Sequence, residues 1–153
     1  MRNKKTTRES EIKTSKLMMP NDANFAGHVH GGVILELIDQ VAYICAVRHS
    51  ESYCVTAAID RVDFKMPINV GELVHFDARI IYVGRTSMDI KIEISAEDMK
   101  TKKIKHTNTC YVTKVAVDES MNPREVPELV VETEEDKKLW QDAVKRREFH
   151  KQG

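Results

Sequence analysis

The residues best suited to chemistry cluster between positions 22 and 43. Asp39 sits inside the run Gly31 to His49, where Val33, Ile34, Leu35, Leu37, Ile38, Val41, Ala42, Ile44, Cys45, Ala46 and Val47 point in almost every direction when wound as a helix. It lies too far along to cap the helix start, and positions 35, 36, 42 and 43 offer it no cation. A carboxylate buried without a partner is costly. Asp39 therefore either belongs to a narrow wet edge with Glu36, Gln40 and Tyr43 or serves as a base or nucleophile. Just upstream, Asn21 to Gly32 form a loop rich in turn formers that carries Asn24, Gly27, His28, His30 and the pair Gly31-Gly32. The glycine pair lets backbone approach a ligand and presents unpaired amides at a helix start, where the dipole favours an anion.

Regular elements must hold these residues. A short strand is expected over Lys16–Met19, ended by Pro20, and the long helix follows over Gly31–His49. The period then changes to two. Tyr53–Phe64 reads as a strand, Met66–Gly71 as a turn, and Val74, Phe76, Ala78, Ile80 and Tyr82 alternate with His75, Asp77, Arg79 and Ile81. After the turn Gly84-Arg85-Thr86-Ser87, Met88, Ile90, Ile92 and Ile94 alternate with charged and polar residues, and a last strand runs from about Ile104 to Val117. One helix followed by four strands, with connections too short for crossover helices, is an α+β arrangement with an antiparallel sheet. A curling sheet covers about half of a helix about 25 Å long. Because this helix is apolar nearly all round, a homodimer at least is expected.

The chain has 153 residues, one domain's length, and 24 basic side chains balance 24 acidic ones. No global field draws it to nucleic acid or an anionic membrane. The longest apolar stretch is broken by Glu36, Asp39 and Gln40 and is too short to cross a bilayer. Residues 1–14 are expected to be a flexible, solvated lead-in, without the apolar centre of a secretory signal. Residues 15–118 form the domain, and 119–153 an extension. In that extension a surface helix from about Glu134 to Phe149 is expected behind a Thr133 cap. Trp140, Ala143 and Val144 give it a weak apolar stripe, while Lys145, Arg146 and Arg147 form a solvated face. Cys45, Cys54 and Cys110 lie in unrelated contexts, pointing to reduced core thiols of a cytoplasmic protein rather than disulfides or zinc.

The pattern Asp22-x-Asn24-x-x-Gly27-x-x-x-Gly31-Gly32, followed by Asp39 and by Gly84-Arg85-Thr86-Ser87, resembles the hotdog-fold acyl-CoA thioesterases. The nearest branch is that of the bacterial YciA-type enzymes and the brain acyl-CoA hydrolases, and the likeness covers roughly residues 15 to 117. The resemblance implies a central helix wrapped by a five-stranded antiparallel sheet, in dimers or trimers of dimers with two active sites across each dimer interface. It implies acyl-CoA as substrate, no cofactor and no metal. Asp39 becomes the catalytic general base or nucleophile, acting with Asn24 of the facing subunit. Gly31 and Gly32 supply an oxyanion hole, and Asn24 orients by hydrogen bonds, being unable to shuttle protons. The coenzyme A phosphates fall to Gly84, Arg85, Thr86 and Ser87, with Arg61 and Lys65 as weaker candidates. Val33, Leu37, Tyr43 and Phe25 are candidates for shaping the acyl tunnel. Two rivals remain. One is a hotdog dehydratase using His28 or His30, and the other is a non-catalytic acyl-CoA sensor. His-x-His without a third ligand is a weak metal motif.

Overall fold

The computed structural model describes residues 2–60 and 62–152, with side chains to 151. In chain order it contains β1 (Lys4–Thr6), α1 (Thr7–Ser10), β2 (Ile12–Leu17), a 3-10 turn (Pro20–Asp22), α2 (Gly31–Ser50) and β3 (Tyr53–Ile59). β4 (Leu73–Val83), β5 (Ser87–Glu97), β6 (Ile104–Val117), β7 (Glu128–Val130) and α3 (Glu134–Gln152) follow. The main sheet is antiparallel with strand order β2-β4-β5-β6-β3.

Side-chain alternation sets the layers. Val74, Phe76, Ala78 and Ile80 of β4, Met88, Ile90, Ile92 and Ile94 of β5, and Cys110, Val112 and Ala116 of β6 are buried on one face. Against them pack Ile34, Ile38, Val41, Ala42 and Cys45 of α2. The sheet covers only one side of that helix, and Leu35, Tyr43 and Ile44 remain exposed on the other. At its end the helix turns out through Glu51, a left-handed residue (φ 55°) whose N–H donates to Val47 O at 2.7 Å.

The structure corrects five expectations. Residues 1–14 are built into the fold: β1 pairs in parallel with β7, Thr7 and Ser10 are buried, and Thr7 Oγ1 donates to Ile80 O at 3.0 Å. Ile12–Leu17, not Lys16–Met19, forms the first strand of the main sheet. It is an edge strand with most side chains exposed, so its sequence carries no apolar rhythm. The strand after α2 ends at Ile59 rather than Phe64.

Tyr82 does not continue the inward set. The register shifts between Ile80 and Tyr82, a bulge that turns Ile81 and Tyr82 to the outer face and returns Val83 to the core. α3 lies on that outer face. Leu139 and Ala143 pack on Ile81, Trp140 sits 4.4 Å from Tyr82 between ring centres, and the Arg146 guanidinium lies 3.6 Å over Tyr111. Arg147 binds both oxygens of Asp89 at 2.8 Å, so this segment is a docked face and only Lys145 of the basic trio stays exposed.

Candidate active site

Asp39 is paired, and its partner comes from the sheet. Lys114 on β6 falls on the inward phase with Val112 and Ala116, is 1% exposed, and places Nζ 2.8 Å from Asp39 Oδ1. Thr56 on β3, directly across the ladder from Lys114, donates its hydroxyl to the same Oδ1 at 2.6 Å and accepts from Lys114 Nζ at 2.6 Å. The three side chains close a triangle in which donors and acceptors match. Asp39 Oδ2 takes no hydrogen bond among the described residues, and the Asp39 side chain is 46% exposed. Partial desolvation pushes the carboxyl upward. Hydrogen bonds from Lys114 and Thr56 and the nearby ammonium charge outweigh it, holding Asp39 below the usual carboxylate range.

The loop before α2 is organised by Asn24. Its Oδ1 accepts from the backbone of Ala26 (2.9 Å) and His28 (3.1 Å), and Gly27 takes the left-handed turn position at φ 81°. Among the described residues Asn24 and Asp39 of one chain share no hydrogen bond. Gly31 opens α2 under the Phe64 ring, which a side chain there would approach to 3.5 Å. A side chain at Gly32 would meet nothing within 4 Å in the chain. His28 is turned to Asn69, with Nδ1 2.7 Å from its Oδ1, and His30 stands at the N-cap of α2.

The turn Gly84 to Ser87 closes β4 onto β5 through Gly84 N–H donating to Ser87 O at 2.8 Å. A Cβ at Gly84 would meet Ser87 Oγ at 2.9 Å, so a side chain there would force the Ser87 hydroxyl to move. Arg147 Nη2 donates to Ser87 Oγ at 3.0 Å, and Thr86 O accepts from the Ala116 backbone. Arg85 is 83% exposed with Glu125 at 3.6 Å, leaving its guanidinium largely toward solvent. Register links this turn to Asp39, because Val83, Met88, Lys114 and Thr56 form one row across β4, β5, β6 and β3. Lys65 is exposed on the connection after β3, and Arg61 lies outside the described residues. All three cysteines are free and buried; burial pushes the Cys45 and Cys110 thiols up to about 12, which removes them as nucleophiles.

Sequence reasoning missed Lys114 and Thr56. The signal was present: a lysine on the buried phase of an alternating strand demands an anion, and Asp39 was the carboxylate in search of a cation.

The model of the thioesterase superfamily matches residues 26–103. The chain belongs to the thioesterase superfamily. Protein VdlD of Helicobacter pylori is 42% identical over 148 residues, covering 97% of this chain and 84% of that protein. The fold is the hotdog fold. An apo-hexameric acyl-CoA thioesterase superposes with a TM-score of 0.94 at 35% identity, over 98% of this chain and 96% of its own. An acyl-CoA hydrolase from Staphylococcus aureus, solved with butyryl coenzyme A, coenzyme A and coenzyme A disulfide, has a TM-score of 0.88 at 31% identity, over 97% and 90%. Alanine variants of that hydrolase have been solved at an aspartate, an asparagine and a threonine whose mutual spacing is that of Asp39, Asn24 and Thr56.

Proposed function

We propose that this protein hydrolyses acyl-CoA thioesters to a fatty acid and free coenzyme A, as a homodimer or an assembly of such dimers. The observation that carries this reading is the Asp39 carboxylate, ionised, fixed to the sheet through one oxygen and open at the other, at the edge of the covered face of α2. Oδ2 either draws a proton from water that attacks the thioester carbonyl, or attacks it directly to give an anhydride that water then opens. On both routes coenzyme A leaves as the thiolate and takes up a proton. The negative charge on the carbonyl oxygen falls to amides at the start of α2, at Gly31 and Gly32.

The composite site that the family resemblance implies fits the helix geometry. Gly31 and Asp39 lie about 12 Å apart along α2 at about 1.5 Å of rise per residue, yet amide and carboxylate must both reach one carbonyl at about 3 Å. Asp39 of one copy therefore works with the glycine pair and Asn24 of another, and exposed Leu35, Tyr43, Ile44 and Phe25 suit the seam between them. Arg85, with Lys65 and Arg61, supplies cations for the coenzyme A phosphates. The buried free thiols suit a reducing compartment such as the cytoplasm.

The test is release of coenzyme A from acetyl-, butyryl-, octanoyl- and palmitoyl-CoA, followed with a thiol reagent. Wild type is expected to turn over at least one of them, and Asp39→Asn and Asn24→Ala each to lose nearly all turnover. Mixing the two variants through unfolding and refolding should restore activity, since a mixed dimer holds one intact site. Undiminished hydrolysis by Asp39→Asn sinks the assignment, and no restoration on mixing sinks the composite site.

A further inference from the structure

The geometry points to Lys114 as the positioning residue of the reaction, a buried ammonium that keeps Asp39 anionic and fixes which of its oxygens meets the substrate. The inference rests on the hydrolase reading above and adds a residue to it.

A lysine at this place is costly for the fold alone. Its neighbours on the same phase of β6 are Val112 and Ala116, both fully buried, and an apolar side chain would continue that row without desolvating a charge. Both hydrogen bonds of its ammonium among the described residues go to the site. Nζ reaches Asp39 Oδ1 and Thr56 Oγ1, and it faces the Tyr43 ring at 5.9 Å from the centroid. The groups around Asp39 are few. On its own helix Glu36 and Tyr43 stand three and four residues away, β3 brings Thr56, with Cys54 beside the ammonium, and β6 brings Lys114. Lys114 is the cation that contacts it among the described residues.

Two consequences follow from that asymmetry. Lys114 and Thr56 both occupy Oδ1, so Oδ2 alone is left to orient water or to attack. With the ammonium 2.8 Å from the carboxylate, protonation of Asp39 is opposed, and activity should persist to lower pH than an isolated aspartate would allow. Thr56 bridges the two, its hydroxyl donating to the carboxylate while its oxygen accepts from the ammonium.

The test is the pH dependence of kcat/KM for Lys114→Met, which keeps the length and apolar stem, with Thr56→Val as a second, milder variant. The acid limb of Lys114→Met is expected to move up by about one to three pH units, as loss of a close opposite charge requires. kcat is expected to fall by about tenfold or more with KM changed little. Thr56→Val should shift the limb in the same direction by less. Lys114→Arg, which returns the charge, should bring it part of the way back. An acid limb that stays in place in Lys114→Met overturns the proposal. Should that variant not fold, an unmoved limb in Thr56→Val overturns it equally. Asp39→Asn separates the readings: if it is inactive while the limb stays put, the hydrolase assignment stands and the role of Lys114 falls.

Discussion

Two aspartate ion pairs stand on opposite faces of the same sheet, and they are built with opposite polarity. In Asp89–Arg147 the carboxylate is buried, its side chain 8% exposed, and both oxygens are taken: Arg147 holds each one and Thr113 adds a bond to Oδ1 at 2.8 Å. In Asp39–Lys114 the cation is buried, the carboxylate is nearly half exposed, and one oxygen is left over. A buried carboxylate gripped at both oxygens is out of a substrate's reach and can only hold things together. One that is half exposed, held at a single oxygen beside a buried ammonium, keeps its anionic form and has a free direction. The first staples α3 to the sheet, and the second leaves one oxygen open to whatever enters.

Matched substitutions separate these roles. The largest effect is expected for Asp39→Asn, which should lower kcat by about 10²- to 10⁴-fold. Its melting temperature should change little, because asparagine keeps an oxygen for Lys114 and Thr56. Asp89→Asn should do the reverse. Loss of the twin bond to Arg147 should cost about 2 kcal/mol, a fall of roughly 5 °C by calorimetry, with kcat near wild type. Equal loss of activity in both would erase the distinction.

A third pair sharpens it through pH. Arg8 bonds to Asp136, a buried carboxylate whose pKa is held down chiefly by that hydrogen bond. Because the folded value lies below the unfolded one of about 4, its contribution is present above that unfolded value. It is lost as pH falls through the folded one. Urea midpoints of wild type and Arg8→Gln should therefore differ at pH 7, and the gap should narrow as pH falls below about 4. The smallest effect belongs to exposed Lys145, where Lys145→Gln should stay within about 0.5 kcal/mol.

What could be read from the sequence was local. The all-apolar turns around Asp39, the alternation of Met88 to Ile94 and the Asn24-to-Gly32 spacing each carry their meaning within a dozen residues or so, and the helix, the central strands and the loop before the helix followed from them. What could not be read depends on distant pairing. Lys5 lies opposite Leu129, and Arg2 reaches Val126 O at 2.7 Å, so nothing near residue 5 announces a strand. Tyr82 looked like the next inward beat of an alternating strand, and only the bulge after Ile80 reverses it. The helical segment around Lys145 to Arg147 looks solvated by composition, yet two of its arginines lie on the Tyr111 and Tyr82 rings.

The parallel ladder of β1 on β7 also fixes an order of events. During synthesis residues 4–6 emerge well before their partners at 128–130. The main sheet and α2 can assemble while β1 still has nothing to pair with, and the clasp closes only once residues 128–130 have been made. Newly made copies thus pass through a stage in which β1 is an open edge, available to the 128–130 segment of a neighbour as readily as to its own. The same closure that secures the finished domain is a point where two nascent chains can exchange ends.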